Sequence, residues 1–270
     1  MTARPVVTLL TDYGRDDDFV GVCHGVIHRI CPDAAVIDIT HGIARHSVRH
    51  GAVVLANTLA YMPAGVHVAV VDPQVGTTRR ALAVQTGDGR LLVGPDNGVL
   101  SLAWERLGGA ALAVDVSRSP HRLEPVSATF HGRDVFAPVA AHLASGADLR
   151  EAGQPLALEE LTTLELPRAR VEGGDLVAHA LLVDRFGNVA LDVEHEQLPQ
   201  TGLRLGQPVE VEIAGERYLA TFAQTFADVR AGEVIVYEDS YRTLAIAINR
   251  GDAAGTLQAA PDTEIRLRPR

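Results

Sequence analysis

The sequence predicts an α/β domain with a mostly parallel sheet, followed by a smaller all-β domain of barrel-like form. Up to about residue 160, apolar strand-like runs alternate with stretches of helical spacing, which is typical of a parallel sheet covered on both faces. From Leu176 onward the chain consists mainly of short strands at near-regular spacing. The stretch between them, LTTLELPRARVEGG, has the proline and paired glycines of a linker. We therefore predict domains at residues 1–165 and 166–270.

Composition limits the class of protein. The chain has 270 residues, of which 47% are hydrophobic, so it can bury a sizeable core, and no apolar run approaches membrane-spanning length. The net charge of −10 argues against a nucleic-acid partner. Two cysteines and an amino-terminal stretch without a signal-like apolar core favour a cytoplasmic protein. All 24 positive side chains are arginine, which excludes a Schiff-base lysine and a phosphate-loop lysine.

The first predicted strand, Val6–Leu10, is followed by the acidic stretch TDYGRDDDF. The run FVGVCHGVIHRIC has helical spacing and ends at Pro32, so the aspartates at 16–18 lie at a helix N-terminus, where negative charge is favoured. Helix capping alone explains those three. Asp12 precedes the cap and stands at the carboxyl end of the strand, where a carboxylate can accept hydrogen bonds from ribose hydroxyls.

Two groups of residues have a spacing that permits a metal site. The first predicted helix carries Cys23, His24, His28 and Cys31. Structural zinc sites usually draw ligands from two elements, so we interpret these as packing residues. After the strand Ala35–Ile39, a second predicted helix ends at Pro63 and has His46 and His50 on one face, which an exposed polar edge explains equally well. We predict no metal.

The stretch Val66–Val84 reads VHVAVVDPQVGTTRRALAV and is central to the first domain. Its apolar strand stops at Asp72, because the following proline cannot continue the ladder of hydrogen bonds. The next loop brings Arg79 and Arg80 back towards that strand end before the strand ALAV begins. Ligands bind outside the carboxyl ends of strands in open α/β sheets, so an acid and an arginine here indicate a site. A surface ion pair that closes a turn is an equally simple interpretation.

Three further stretches carry motifs. RLLVGPDNGVLSLAWERLG predicts a strand, a turn and a helix, and Ala111–Val114 is one more strand. TFHGRDVFAP places His131 in a loop just before a helix-like run. In the second domain, DRFGN is by itself an ordinary hairpin turn. The predicted strands there are HALLVD, NVALDV, PVEVEI, RYLATF, EVIVYE, TLAIAI and EIRLR.

Five motifs occur together and in order: TDYGRDD, VVDPQVGTTRR, VGPDNGVLS, TFHGRD and DRFGN. From about residue 6 to about residue 255 the chain resembles the S-adenosylmethionine (SAM) hydroxide adenosyltransferases, hydrolytic relatives of the fluorinating and chlorinating SAM enzymes. The resemblance implies an enzyme that hydrolyses SAM to adenosine and methionine by attack of water or hydroxide on the ribose 5′ carbon. Because the sulfonium leaves as neutral methionine, no cofactor and no metal are expected, and SAM is the substrate.

The resemblance also assigns residues. It implies a catalytic unit of Asp72, Arg79 and His131, in which the fixed arginine orients the water and either of the other two accepts its proton. The resemblance also implies contacts with the substrate. Asp12 would bind the ribose, Asp17 and Asp184 the methionine ammonium, and Ser240 the methionine carboxylate. Adenine would be held by Asn188, Phe226 and the backbone near Ala253, and His46 would lie near the substrate. The resemblance further implies a homotrimer, with each pocket between the first domain of one subunit and the second domain of its neighbour.

Two other functions remain open. TDYGRDDD resembles the aspartate-rich loop of calcium-dependent nucleoside hydrolases, although Leu10-Thr11 lacks an additional aspartate that those enzymes need. A chelator would separate the two activities. The second is a non-catalytic SAM sensor, which is favoured only by Gln74, where the family has glycine in Asp-Pro-Gly-Val-Gly. Recovery of the bound ligand unchanged would identify a sensor.

Overall fold

The computed structural model of the chain describes residues 4–270; residues 1–3, with which the predicted first domain begins, lie outside the described residues. The chain divides into two units, the first ending at Leu164 and the second running over Glu165–Arg270. Within residues 4–270, none of the helices has both the length and the apolar character needed to span a bilayer.

The first unit alternates strands with helices. Its strands are β1 (Val6–Thr11), β2 (Ala35–Thr40), β3 (Val66–Val70), β4 (Ala81–Thr86), β5 (Leu91–Pro95), β6 (Ala110–Asp115) and β7 (Gln154–Leu156). Its α-helices are α1 (Phe19–Ile30), α2 (Val48–Leu59), α3 (Ser101–Arg106) and α4 (Ala137–Ala144). A π-helical turn over Gly132–Phe136 leads into α4, and single 3₁₀ turns lie at Leu149–Glu151 and Leu158–Glu160.

The strands of this unit form one sheet in the order β2-β1-β3-β5-β4-β6-β7. The pairs β2–β1, β1–β3 and β3–β5 are parallel, whereas β5–β4, β4–β6 and β6–β7 are antiparallel. Among the described strands, five of the seven therefore run in one direction, which confirms the prediction of a mostly parallel sheet. The β4–β5 pair is antiparallel because the turn that joins these strands is too short for a helical crossover.

Helices cover both faces of this sheet. Buried side chains of α1 and α4 pack with Val7, Leu9 and Val68 on one face. Buried side chains of α2 and α3 pack with Leu10 and Ala69 on the other face. Successive residues of one strand thus point into different cores, and β3 is buried on both faces, as its run of valines predicts.

The second unit is a closed barrel with one added strand. Its strands are β8 (Arg170–Glu172), β9 (Asp175–Val183), β10 (Val189–Glu194), β11 (Pro208–Ile213), β12 (Glu216–Phe222), β13 (Val234–Glu238), β14 (Thr243–Ile248) and β15 (Glu264–Pro269). The order β10-β14-β13-β12-β11-β15-β9 closes through pairing of β9 with β10, and β8 lies outside the ring. The predicted barrel-like domain is therefore confirmed. Its helical segments are His195–Gln200, Phe226–Asp228 and α5 (Ala253–Leu257).

Candidate active site

The candidate site of the first unit lies where the strand order reverses. From β1 the chain passes through α1 to β2 on one side, and from β2 it returns through α2 to β3 on the other side. The carboxyl ends of β1 and β3 therefore flank a crevice, the position at which open α/β sheets bind ligands. Asp12 follows the last residue of β1, and Asp72 lies two residues beyond the end of β3.

Three of the predicted residues form one hydrogen-bonded cluster. Arg79 Nε donates to both carboxylate oxygens of Asp72, at 3.0 and 2.9 Å, and its Nη2 also donates to Asp72 Oδ2. The same Nη2 lies 2.8 Å from His131 Nδ1. The Asp72 and Arg79 side chains are each only 5% exposed, so this ion pair is shielded from water and is not a surface pair closing a turn.

The electrostatics of the cluster define the state of His131. Burial, and after it the positive charge of Arg79, lower the pKa of this imidazole, so it is neutral at neutral pH. Arginine offers only donors, so Nδ1 must be the acceptor in its contact with Arg79. The remaining proton of the neutral ring therefore resides on Nε2, which is a donor.

Local backbone geometry holds the cluster in place. His131 immediately precedes the π-helical turn Gly132–Phe136, a kind of segment found often at functional sites. The ring of Phe136 is fully buried and lies 5.3 Å beneath the guanidinium carbon of Arg79. An aromatic face attracts a cation, so Phe136 helps to hold the arginine in place.

Asp72 and His131 face a cleft of about 760 Å³, a volume that includes the space at its mouth. Arg79 does not line this cleft and lies behind the two residues that it binds. The lining also contains three of the predicted substrate residues, Asp12, Asp17 and His46. All the predicted site residues of the first unit are therefore at this cleft or directly behind it.

The loops after β1 and β2 are joined by Asp12. Its Oδ2 accepts a hydrogen bond of 2.8 Å from the backbone N–H of His46, which has a positive φ of 63°. One side of this carboxylate is thus used inside the protein, and the other is available to a ligand. Asp18 occupies the N-cap position of α1 without a side-chain capping hydrogen bond, so the favourable effect of the aspartates there is that of their charge at the helix N-terminus.

Sequence reasoning missed an aromatic group at the same cleft. The rings of Tyr13, Phe19 and Phe130 contact one another with centroids 5.1–5.8 Å apart, and all three residues line the cleft. Burial is the main cause that raises the pKa of Tyr13 well above its ordinary value, so this phenol stays neutral. Tyr13 lies inside the motif TDYGRDD and Phe130 inside TFHGRD, so their places in these motifs could have indicated that both line the site.

Gly132 leaves room for Tyr13, and this predicts an effect of substitution. A Cβ at Gly132 would clash with the Tyr13 hydroxyl and lie 3.1 Å from Cζ. Gly132→Ala is therefore expected to lower the free energy of unfolding by about 1–3 kcal/mol, as overpacking does, measured by urea denaturation. Adding Tyr13→Phe removes the clashing oxygen and should restore part of this loss. Gly25→Ala, where a Cβ meets nothing within 4 Å, is the matched control and should not destabilise the protein.

In the second unit, the DRFGN turn brings two predicted residues together. Asp184 Oδ1 accepts the backbone N–H groups of Phe186 and Asn188, and its Oδ2 accepts from Asn188 Nδ2 at 2.8 Å. The backbone N–H of Ala254 donates to Gly187 O at 2.9 Å, which places the start of α5, with Ala253, against this turn. Three N–H groups on one carboxylate leave about one lone-pair site of Asp184 free for a ligand.

The two other predicted residues of this unit lie further along the barrel. The ring of Phe226 packs on Tyr237 at 5.1 Å. Burial, and then the charges of Asp184 and Asp239, raise the pKa of Tyr237 to about 12. Ser240 is exposed in the turn between β13 and β14, whereas Asn188 pairs near the opposite end of β14.

Apart from the predicted site residues of the two units, one set of described side chains could offer three ligand atoms to a metal ion. It consists of His24, Asp38 and His41. This set differs from the group Cys23, His24, His28 and Cys31, which the sequence led us to interpret as packing residues. Cys23 and Cys31 are buried free thiols, and both belong to the core beneath α1.

Each unit of the chain matches a domain of one known protein family. The models of the SAM hydroxide adenosyltransferase N-terminal and C-terminal domains match residues 7–153 and 178–266. A Salinispora tropica protein named (R)-S-adenosyl-L-methionine hydrolase is 46% identical, with 99% of each chain covered. A protein of the same name from Thermus thermophilus is 37% identical, covering 98% of this chain and 99% of that one. A crystal structure of an uncharacterized conserved protein from Thermotoga maritima has a TM-score of 0.91 at 35% identity, covering 97% of this chain and 99% of that one.

Proposed function

This chain belongs to the SAM hydroxide adenosyltransferase family, and on that premise we propose that it hydrolyses S-adenosyl-L-methionine to adenosine and L-methionine. The observation that carries the proposal is the cluster of Asp72, Arg79 and His131 at a cleft that also holds Asp12. Two relatives are named hydrolases of the (R) form of SAM, so that sulfonium configuration is the substrate we propose.

The reaction requires little from the protein beyond placing and activating water. The water oxygen forms a bond to the ribose 5′ carbon, the carbon–sulfur bond breaks, and its electron pair stays on sulfur as the neutral thioether of methionine. One proton of the water must leave. Catalysis then consists of holding water in line with the breaking bond, accepting that proton and excluding bulk solvent.

We propose that the three residues divide these tasks, on the following geometry. Arg79 has no acceptor and lies behind the cleft, so it holds the other two groups in place. Nδ1 of neutral His131 is occupied by Arg79, so Nε2–H can donate a hydrogen bond to the water oxygen. Asp72 faces the cleft and accepts from Arg79 Nε, Arg79 Nη2 and Gln74 N. Since Arg79 has no acceptor and His131 is occupied at Nδ1 and protonated at Nε2, the Asp72 carboxylate is the acceptor left among the three residues. We therefore assign proton acceptance to Asp72.

The same carboxylate favours water over a halide. Asp72 is buried in an ion pair and would lie beside the nucleophile, so it repels an anion there and accepts a hydrogen bond from water. Gln74 contributes through its backbone N–H, which donates to Asp72 Oδ1 at 3.3 Å. Any residue other than proline supplies that donor, so the glutamine is compatible with catalysis.

The substrate contacts remain proposals with physical support. The free side of Asp12 suits the ribose hydroxyls, and Asp17 at the same cleft suits the methionine ammonium. In the second unit, the free site of Asp184 suits the ammonium and Ser240 the carboxylate. Asn188, Phe226 and the backbone at Ala253 suit adenine, and His46 lies beside Asp12 at the edge of the cleft.

The decisive experiment separates this function from its two rivals by the products. Metal-free protein incubated with each sulfonium form of SAM is expected to release adenosine and methionine in equal amounts, measured by chromatography. A nucleoside hydrolase acting on adenosine would release adenine and ribose and would depend on calcium. A sensor would return the ligand unchanged. Either of these results would contradict the proposed function.

A homotrimer with sites shared between subunits is also a proposal, and it predicts complementation. Asp72→Asn and Asn188→Ala alter different units of the chain. In a ring whose sites each combine one unit from each of two neighbours, random co-assembly leaves about one site in four with both halves intact. Co-expression of the two variants should therefore recover up to about a quarter of parental activity. Co-expression of Asp72→Asn with His131→Ala, both in the first unit, is the control and should recover none.

Cytoplasmic location likewise stays a proposal. It is supported by two buried thiols that form no disulfide with one another, as expected of a protein kept in a reducing compartment.

A further inference from the structure

A group of metal-ligating side chains lies beside, and separate from, the proposed catalytic cluster. His24 on α1, Asp38 on β2 and His41 in the loop after β2 each direct one ligand atom to a common point, and these atoms lie within 4.8 Å of one another. His24 Nε2 and His41 Nε2 are 2.8 and 3.0 Å from the same oxygen, Asp38 Oδ1. We propose that His24, Asp38 and His41 form a binding site for a divalent transition-metal ion of the zinc class.

The spacing of the three atoms supports a metal. Ligand atoms around a tetrahedral zinc ion are about 3.3 Å apart, given metal–ligand distances of about 2.0–2.1 Å. The two nitrogen–oxygen separations of 2.8 and 3.0 Å need to open by a few tenths of an ångström, and the two imidazole nitrogens lie within 4.8 Å of each other. The ligands come from a helix, a strand and a loop, so the fold and not a single helix face brings them together.

The environment of His41 is the second and independent observation. Its side chain is only 1% exposed, and within the described residues its Nε2 makes no hydrogen bond that satisfies normal geometry, although Asp38 is near. A buried polar nitrogen whose near partner, Asp38, is poorly aligned is incompletely satisfied, and a metal ion at the common point would satisfy it. Its other nitrogen, Nδ1, contacts the hydroxyl of Thr11 at 2.9 Å. Such an outer contact fixes the orientation of a ligating imidazole.

The ligand set selects the class of metal. Two imidazoles and one carboxylate suit Zn²⁺, Co²⁺ or Ni²⁺, whereas Ca²⁺ and Mg²⁺ prefer oxygen ligands. His24 and Asp38 are about one-third exposed, at 32% and 28%, so water can reach a fourth coordination position. None of these three residues belongs to the cluster of Asp72, Arg79 and His131, so the site is independent of the proposed hydrolysis.

Cobalt binding to chelator-treated full-length protein tests the proposal. We expect one Co²⁺ per chain by calorimetry, with the visible absorption of low-coordinate cobalt, and a rise in Tm when Zn²⁺ is added. His24→Gln can keep a hydrogen bond to Asp38 but removes the ligand, and it should weaken Co²⁺ binding at least about 100-fold. His28→Ala, at an exposed position one turn further along α1, should bind like the parent.

Two results would overturn the proposal. One is the absence of stoichiometric Co²⁺ binding to the parent protein. The other is an equal affinity of the parent and the His24→Gln variant for Co²⁺. That result would mean that any binding occurs elsewhere and that the three side chains form only a hydrogen-bonded chain.

Discussion

Asp72→Asn is expected to reduce kcat for SAM hydrolysis by about 10²–10⁴-fold, the usual contribution of a general base. Asparagine keeps the shape of the side chain and can still accept from Arg79, but it cannot take up the proton of the water. The affinity for SAM should change little, since this carboxylate acts on the water and not on the substrate. Single-turnover assays with quantified adenosine, together with calorimetric binding of SAM, measure the two effects separately.

A comparison at His131 tests the assignment of the base. In our assignment His131 donates through Nε2–H, so His131→Gln, whose amide also donates, should retain more activity than Asp72→Asn. The opposite ranking, with Asp72→Asn the more active of the two, would assign proton acceptance to His131. Circular dichroism and Tm values of the two variants show whether either loss reflects unfolding.

Arg79→Ala is expected to have the largest combined effect, because it removes the centre of the cluster. It leaves the Asp72 carboxylate, 5% exposed, without its cation, and breaking a buried ion pair costs about 3–5 kcal/mol of folding free energy. It also frees His131 Nδ1, so the imidazole loses its fixed tautomer. We expect a large fall in Tm by calorimetry, together with hydrolysis close to background in protein that is still folded.

The neighbouring arginine is a matched control. Arg80 Nε donates to Asp96 Oδ2 at 2.7 Å and its Nη1 to Glu160 at 2.9 Å, and Asp96 is also buried. Arg80→Ala should therefore destabilise the fold through the same kind of loss while kcat stays near the parental value below its Tm. If Arg80→Ala abolished hydrolysis as Arg79→Ala does, the loss would reflect general destabilisation and not the role of Arg79 in the site.

The positions of the acids could be predicted from the sequence because they depend on where strands end. Asp72 is followed by a proline that stops a valine-rich strand, and Asp12 stands between a strand and an acidic helix start. Whether those ends are neighbours depends on strand order, which the sequence does not state. The insertion of β5 between β3 and β4 follows from pairing energies spread over many residues, and no local motif predicts it.

Contacts between distant residues were the other part that sequence reasoning could not supply. The tautomer of His131 depends on a guanidinium 52 residues away, and the place of Tyr13 depends on the missing side chain of Gly132. His24 was interpreted as a packing residue of the first helix, but its imidazole contacts Asp38 on β2, which its position in the helix could not reveal. The barrel could be predicted as a class from its regular strands, whereas its closure through β9 and β10 could not.

The hydrogen bond from His46 to Asp12 has a thermodynamic consequence. It joins the loops after β1 and β2 and holds His46 at a positive φ that the residue rarely adopts alone. The conformational entropy of these loops is therefore lost when the chain folds, before any ligand arrives. A ligand that reaches the free side of Asp12 meets a rigid receptor, so little of its binding free energy is consumed in ordering this wall of the cleft.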